Sequence, residues 1–226
     1  MNPSVEKAGV VIVDDHPMVR ERLAELINKE QDIYVCGQAD NIRDGLAVIK
    51  NSNAKAAIVD ISLKGSSGLE LVKEINAAAL KVPVLILSMH DESLYAERAL
   101  RAGAKGYITK HADSAKVIEA IHQVLAGEVY LGKHVASKIL TKLTASRIQE
   151  QGVKQLTDRE LEVFELIGRG RTTREISLRL GLSSTTVETY RSRIKEKLGL
   201  DNASQLSAEA TKWSVFATHA FEFSDS

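Results

Sequence analysis

The chain has 226 residues, 44% of them hydrophobic, which is enough to bury a sizeable core and, at about 100–200 residues per domain, to fill two small domains. Thirty basic side chains balance thirty acidic ones, so no global field steers the protein to nucleic acid or an anionic membrane, and any such partner must meet a local patch. One cysteine excludes an internal disulfide, runs as short as VVIV and VLIL exclude a bilayer span, and residues 1–9 hold no hydrophobic signal region; together these predict a soluble cytoplasmic protein with no membrane partner.

Residues 10–127 alternate short apolar runs with segments of helical periodicity. The runs are VVIV (10–13), IYVC (33–36), AAIVDI (56–61), VLILSM (84–89) and GYIT (106–109). Between them, apolar residues recur at three and four spacing, as in Val19, Leu23, Leu26 and Ile27, or Leu69, Val72 and Ile75. Continuous runs predict strands covered on both faces, with Cys36 a small core residue. Strands alternating with helices predict an α/β fold, a five-stranded parallel doubly wound sheet. In such sheets function gathers at the carboxyl ends of the strands.

That edge is chemically loaded. The first run ends on Asp14 and Asp15, the third on Asp60, the fourth on Ser88 and the fifth on Lys110. Each alone is an ordinary turn or cap residue. Together they place three carboxylates, a hydroxyl and an amine at one mouth. The carboxylates repel one another unless a cation joins them, and a hard divalent ion with oxygen ligands, magnesium, meets that need while leaving positions open for a phosphoryl group. Asp60 is then a carboxylate nucleophile, and Lys110 and Ser88 hold the transferred oxygens; the product is an aspartyl phosphate.

Further along, residues 128–153 read as an interdomain linker with one short helix near 135–143. Helical periodicity resumes at LTDRELEVFELIGRG, where Thr157 and Glu160 have the spacing of a capping box and Leu161, Phe164 and Ile167 give an apolar face. A short helix, a tight turn at 181–183 and a longer helix over 185–198 ended by Gly199 then predict a helix-turn-helix, a small all-α domain over 154–213. From 169 to 197 eight basic residues face three acidic ones, a local excess suited to DNA phosphates. On the long helix Val187, Tyr190, Ile194 and Leu198 form the apolar face, leaving Thr185, Glu188, Thr189, Ser192, Arg193 and Lys195 more exposed. Residues 214–226 read as a tail.

The stretches VDDHP, IVDISLKGSSGLEL, LSMHDES and ALRAGAKGYITK, in this order, resemble the receiver domain of two-component response regulators over residues 9–127. LTDRELEVFELI, REISLRLGLSSTTVETY and IKEKLGL are similar to the LuxR-type DNA-binding domain, and the chain as a whole resembles the NarL/FixJ-type response regulators. The resemblance implies a DNA-binding transcription regulator rather than an enzyme. Its Asp60 would be phosphorylated by a sensor histidine kinase, with Asp15, Asp60 and the Ser62 carbonyl holding magnesium and Asp14 acting through water. It also implies a switch pair, Ser88 and Tyr107, and an active homodimer on double-stranded DNA. By the same resemblance Glu188, Thr189 and Ser192 read bases, while Thr185, Arg193, Lys195 and Lys197 hold phosphates.

Some residues depart from that pattern. Lys64 stands where proline is common, which predicts a less restrained loop after Asp60. His111 follows Lys110 where many members have a proline after a cis bond. Glu188 occupies a position where a basic or neutral residue is usual; it either accepts from cytosine N4 or discourages wrong sites. Two other functions compete with the main one. A magnesium-dependent phosphohydrolase also uses a strand-end aspartate, but needs a second aspartate two residues later, where this chain has Ser62. A DNA-binding regulator insensitive to phosphorylation need not retain the acidic pair, Asp60, Ser88 and Lys110.

Overall fold

The computed structural model describes residues 7–89, 92–133, 135–137 and 153–219. The chain divides between residues 144 and 145 into two compact units.

The first unit is built on a five-stranded parallel sheet: β1 (Ala8–Val13), β2 (Ile33–Ala39), β3 (Ala54–Asp60), β4 (Val84–Ser88) and β5 (Gly106–Thr109), in the spatial order β2-β1-β3-β4-β5. The order reverses at β1, so β1 and β3 flank the crevice where such sheets place their sites. The connecting helices are α1 (Pro17–Asn28), α2 (Ile42–Asn51), α3 (Gly68–Ala77), α4 (Glu92–Ala102) and α5 (Ser114–Leu125). Val10, Val11, Ile12 and Val13 are wholly buried, as are Ala57, Val59 and Ile86, which is why these central strands carry no alternation of polar residues. One side of the sheet packs Ile12, Ile58 and Leu85 against Leu23 and Ile27 of α1 and Val117, Ile121 and Val124 of α5. Each such side chain contributes about 1.5–3 kcal/mol by leaving water.

Two features differ from the sequence expectation. β2 is an edge strand, so Cys36 is half-buried rather than a core residue. It also runs beyond the apolar stretch, because Gly37, Gln38 and Ala39 continue the ladder opposite Val11, Ile12 and Val13 after a register shift. Most of β2 is only half-buried, so it needs an apolar run less than the fully covered central strands do.

The loop after Asp60 is more restrained than Lys64 suggested. Ser62–Leu63 pairs antiparallel with Ser66–Ser67 across a two-residue turn, and Gly65 at φ 72° supplies the positive φ that a type II turn requires. No cis peptide bond occurs among the described residues, so the bond between Lys110 and His111 is trans.

The second unit begins with a 3₁₀ turn (Val153–Gln155) and contains α6 (Asp158–Gly168), α7 (Thr173–Leu180), α8 (Ser184–Leu198) and α9 (Ala203–His219). The Thr157–Glu160 capping box forms in both directions, and a second one, Thr172–Glu175, opens α7. α7 and α8 each end on a glycine in the left-handed region, Gly181 at φ 63° and Gly199 at φ 66°. Leu161, Phe164 and Ile167 are buried as their spacing predicts.

α9 crosses residue 213 and continues to His219. Asn202 caps it by accepting the Gln205 amide at 2.9 Å, Leu206 and Ala210 are buried, and Trp213 meets Phe164 with ring centroids 5.5 Å apart. Gly168 gives α6 close access to α9: a Cβ there would lie 2.4 Å from the Ala210 carbonyl oxygen. Of the short helix expected near 135–143, residues 138–143 lie outside the described residues, as do 220–226 of the tail and residues 90–91 of LSMHDES. No helix among the described residues is long and apolar enough to cross a membrane.

Candidate functional site

The strand ends of the first unit converge. Asp14 follows β1, Asp60 closes β3, Ser88 closes β4, and Lys110 follows β5, with Ser88 opposite Thr109 in the ladder. The Lys110 ammonium lies 2.6 Å from Asp60 Oδ2, to which it donates, and 2.7 Å from Asp14 Oδ2. Its own backbone amide donates to the Ser88 carbonyl at 2.7 Å. Asp14, Asp60 and Ser88 are buried, and Tyr107 on β5 is wholly buried with its ring turned into the unit.

Ligand atoms of Asp14, Asp15, Asp60 and His16 all lie within 4.8 Å of one another. His16 is the member that the sequence did not single out. Its Nδ1 stands 2.7 Å from Asp15 Oδ1 and 3.2 Å from Asp14 Oδ1, and its backbone amide donates to Asp14 Oδ1. Arg20 on α1 was also missed; its guanidinium donates to the Asp14 carbonyl and holds the turn between β1 and α1. The adjacency of Asp14, Asp15 and His16 was the available signal for the first, and nothing local marks the second.

Gly68 is a third such residue. It opens α3, its amide donates to the Ile61 carbonyl at 2.7 Å, and a Cβ there would meet the Asp60 carbonyl oxygen at 1.9 Å. Only glycine admits this approach of the returning chain to the strand end. The Ser62 amide in turn donates to the Asp60 carboxylate.

Burial raises the Asp60 carboxyl to about 6; Lys110 opposes that shift and Asp14 adds to it. Burial works against the Lys110 ammonium, but Asp60 and Asp14 more than offset it and the group sits above its ordinary value. Asp14 Oδ2 and Asp15 Oδ1 are buried and accept no well-directed hydrogen bond, despite the cationic neighbour or imidazole at 2.7 Å. Three carboxylates gathered within 4.8 Å, two of them with a buried oxygen that lacks a well-directed hydrogen bond, are the donor set of a hard divalent cation, and the cluster fits one.

In the second unit α8 carries the other candidate residues. Thr185, Glu188, Thr189, Ser192 and Arg193 are exposed on it, and Lys195 is half-buried. Val187 and Ile194 are buried toward the unit's core. Lys197, another of the expected phosphate contacts, is half-buried. Its ammonium is already engaged, 2.6 Å from buried Glu160 Oε2 and 3.3 Å from the Gln155 carbonyl. Burial pushes the Glu160 carboxyl up, but the bonds from Lys197 and Thr157 prevail and hold it below the usual glutamate range. Lys197 thus ties α8 to the start of α6, a structural role that helical spacing did not reveal.

Two family models match the chain: the response regulator receiver domain over residues 10–122 and the bacterial regulatory proteins of the luxR family over residues 154–210. The transcriptional regulatory protein UhpA of Salmonella typhimurium is 35% identical over 87% of this chain and 94% of its own length. The nitrate/nitrite response regulator protein NarL of Escherichia coli is 29% identical over 92% of this chain and 95% of its own. A solved LuxR-family two-component response regulator from Aurantimonas superposes with a TM-score of 0.58 at 30% identity, covering 62% of this chain and all of that one.

Proposed function

From the membership of this chain in the NarL/FixJ-type response regulators, DNA-binding transcription regulators of two-component systems, we propose that Asp60 is its phosphoacceptor and that phosphorylation there sets its affinity for DNA. The observation that carries this reading is the Lys110 ammonium shared between Asp60 at 2.6 Å and Asp14 at 2.7 Å beside two further potential ligands. A carboxylate so held is an oriented nucleophile with a cation already in place for the incoming charge.

In the proposed step Asp60 attacks the phosphorus of a phosphohistidine on the sensor kinase. The N–P bond breaks, an O–P bond forms, and the freed imidazole keeps its electron pair. Lys110 then faces the phosphoryl oxygens, and the Ser88 hydroxyl donates to one of them. Asp14, Asp15, Asp60 and the Ser62 carbonyl would hold magnesium, which when bound neutralises charge on the transferring oxygens. Movement of Ser88 toward the phosphate and the buried packing of Tyr107 would bias the unit toward its active form, a population shift.

The DNA-binding element in this reading is α8, with Glu188, Thr189 and Ser192 facing base edges and Thr185, Arg193 and Lys195 holding phosphates. Two copies would occupy paired half-sites as a homodimer. The test is to treat the full chain with acetyl phosphate and magnesium, and to follow intact mass and DNA affinity in wild type and Asp60→Asn. Wild type gains one phosphoryl group and tighter DNA binding, while Asp60→Asn gains neither. A mass gain with unchanged DNA affinity would instead support a regulator insensitive to phosphorylation.

A further inference from the structure

The exposed face of α8 offers hydrogen-bond acceptors at two adjacent positions. Glu188 is a carboxylate with no donor of its own, and its side chain is 60% exposed. Its Oε1 accepts the Thr173 hydroxyl at 2.7 Å, with Arg191 Nε 3.7 Å from the same oxygen. Its Oε2 has no protein partner among the described residues. Thr189 has spent its hydroxyl hydrogen on the Thr185 carbonyl at 3.0 Å, which leaves lone pairs and a methyl group.

Thr173 is not on the reading helix. It is the first residue of α7, just inside the Thr172–Glu175 capping box, and so belongs to the rigid scaffold. An exposed glutamate ordinarily samples many rotamers and loses them on pairing; one already held by a scaffold hydroxyl loses fewer.

In the major groove cytosine N4 and adenine N6 offer donors, while guanine N7 and O6 and thymine O4 offer acceptors that repel a carboxylate. A carboxylate on a DNA-facing helix also repels phosphates, so it lowers affinity wherever no base donor meets it. We propose that Thr173 is a positioning residue for base selection. By holding Glu188 Oε1 it presents the other oxygen to a cytosine N4 amine, so that each half-site carries cytosine at one fixed position.

This inference rests on the reading of α8 as the major-groove helix, and its test separates the two. The phosphorylated full chain selects sites from duplexes randomised over about 20 base pairs, the span of two half-sites one helical turn apart. Every base pair of the selected site is then varied in competition binding to wild type, Thr173→Val, Thr173→Ser and Glu188→Gln. Wild type prefers cytosine at one position per half-site by about tenfold. Thr173→Val narrows this to about threefold or less while melting temperature and affinity for unrelated duplex stay at wild-type values, and Thr173→Ser keeps the full preference. Glu188→Gln moves the preference to adenine, which an amide meets at N6 and N7. Full cytosine preference in Thr173→Val would overturn the positioning role alone. Absence of a cytosine preference in wild type would overturn the pairing as well, and failure of the phosphorylated chain to bind any duplex would overturn the reading of α8 itself.

Discussion

The two units build their sites in opposite ways. The receiver assembles a buried, charged pocket from residues as far apart as Asp14 and Lys110, each delivered by a different strand end. The helical unit displays most of its candidate residues along one face of a single helix, with Thr185, Glu188, Thr189, Ser192 and Arg193 exposed on α8. A pocket of mutually dependent charges responds to substitution as a whole, whereas exposed side chains on one helix respond nearly one by one.

The sharpest way to break this contrast is at Lys110. Lys110→Met leaves Asp14 and Asp60 facing each other without their shared ammonium. It should cost about 2–3 kcal/mol in urea unfolding without divalent cations, and adding Asp60→Asn should recover most of that loss. If the two changes simply added, the pocket would be no more coupled than a surface. Gly68→Ala comes next, because the new Cβ must push back the Asp60 carbonyl. A loss of about 2 kcal/mol and slower uptake of phosphate from acetyl phosphate are expected, read by unfolding and by intact mass.

Lys197→Met sharpens the comparison from the other side, since Lys197 is the residue of α8 that behaves like a pocket residue. Removing it leaves Glu160 buried without its cation and should cost about 1 kcal/mol. Because the Glu160 carboxyl is depressed in the folded state, this contribution is complete above about pH 5 and is lost as the pH falls below about 4. Urea midpoints of wild type and variant should therefore converge in acid. Arg193→Ala is the smallest effect on the fold, within about 0.5 kcal/mol of wild type. Its signature is a slope of log affinity against log salt reduced by about one for any DNA sequence, measured by salt titration of binding.

What the sequence disclosed follows from the same contrast. Strands buried on both faces must be continuously apolar, so β1, β3, β4 and β5 were visible, and the polar residue that stops each run marked the pocket. β2 continued past its apolar run because most of it is only half-buried, and its backbone keeps the ladder without an apolar side chain at every position. Gly68 was hidden for another reason: its requirement comes from the Asp60 carbonyl and exists only once α3 has folded back over the strand end. The Lys197–Glu160 and Thr173–Glu188 contacts join different helices, and helical periodicity records which face a residue occupies but not what waits opposite it. α9 was underestimated because few of its residues mark a repeating apolar face: among the described residues Leu206 and Ala210 are buried, and Trp213 joins them only through its contact with Phe164.

Lys110 holds the structure at both ends of its length. Its tip spans β1 and β3 through Asp14 and Asp60, and its backbone amide fastens the end of β5 to β4 through the Ser88 carbonyl. A phosphoryl group on Asp60 would compete for that tip, and any pull on it would reach the outermost strand through the lysine's own chain. The pocket therefore has a covalent lever to the rim of the sheet, three residues from Tyr107.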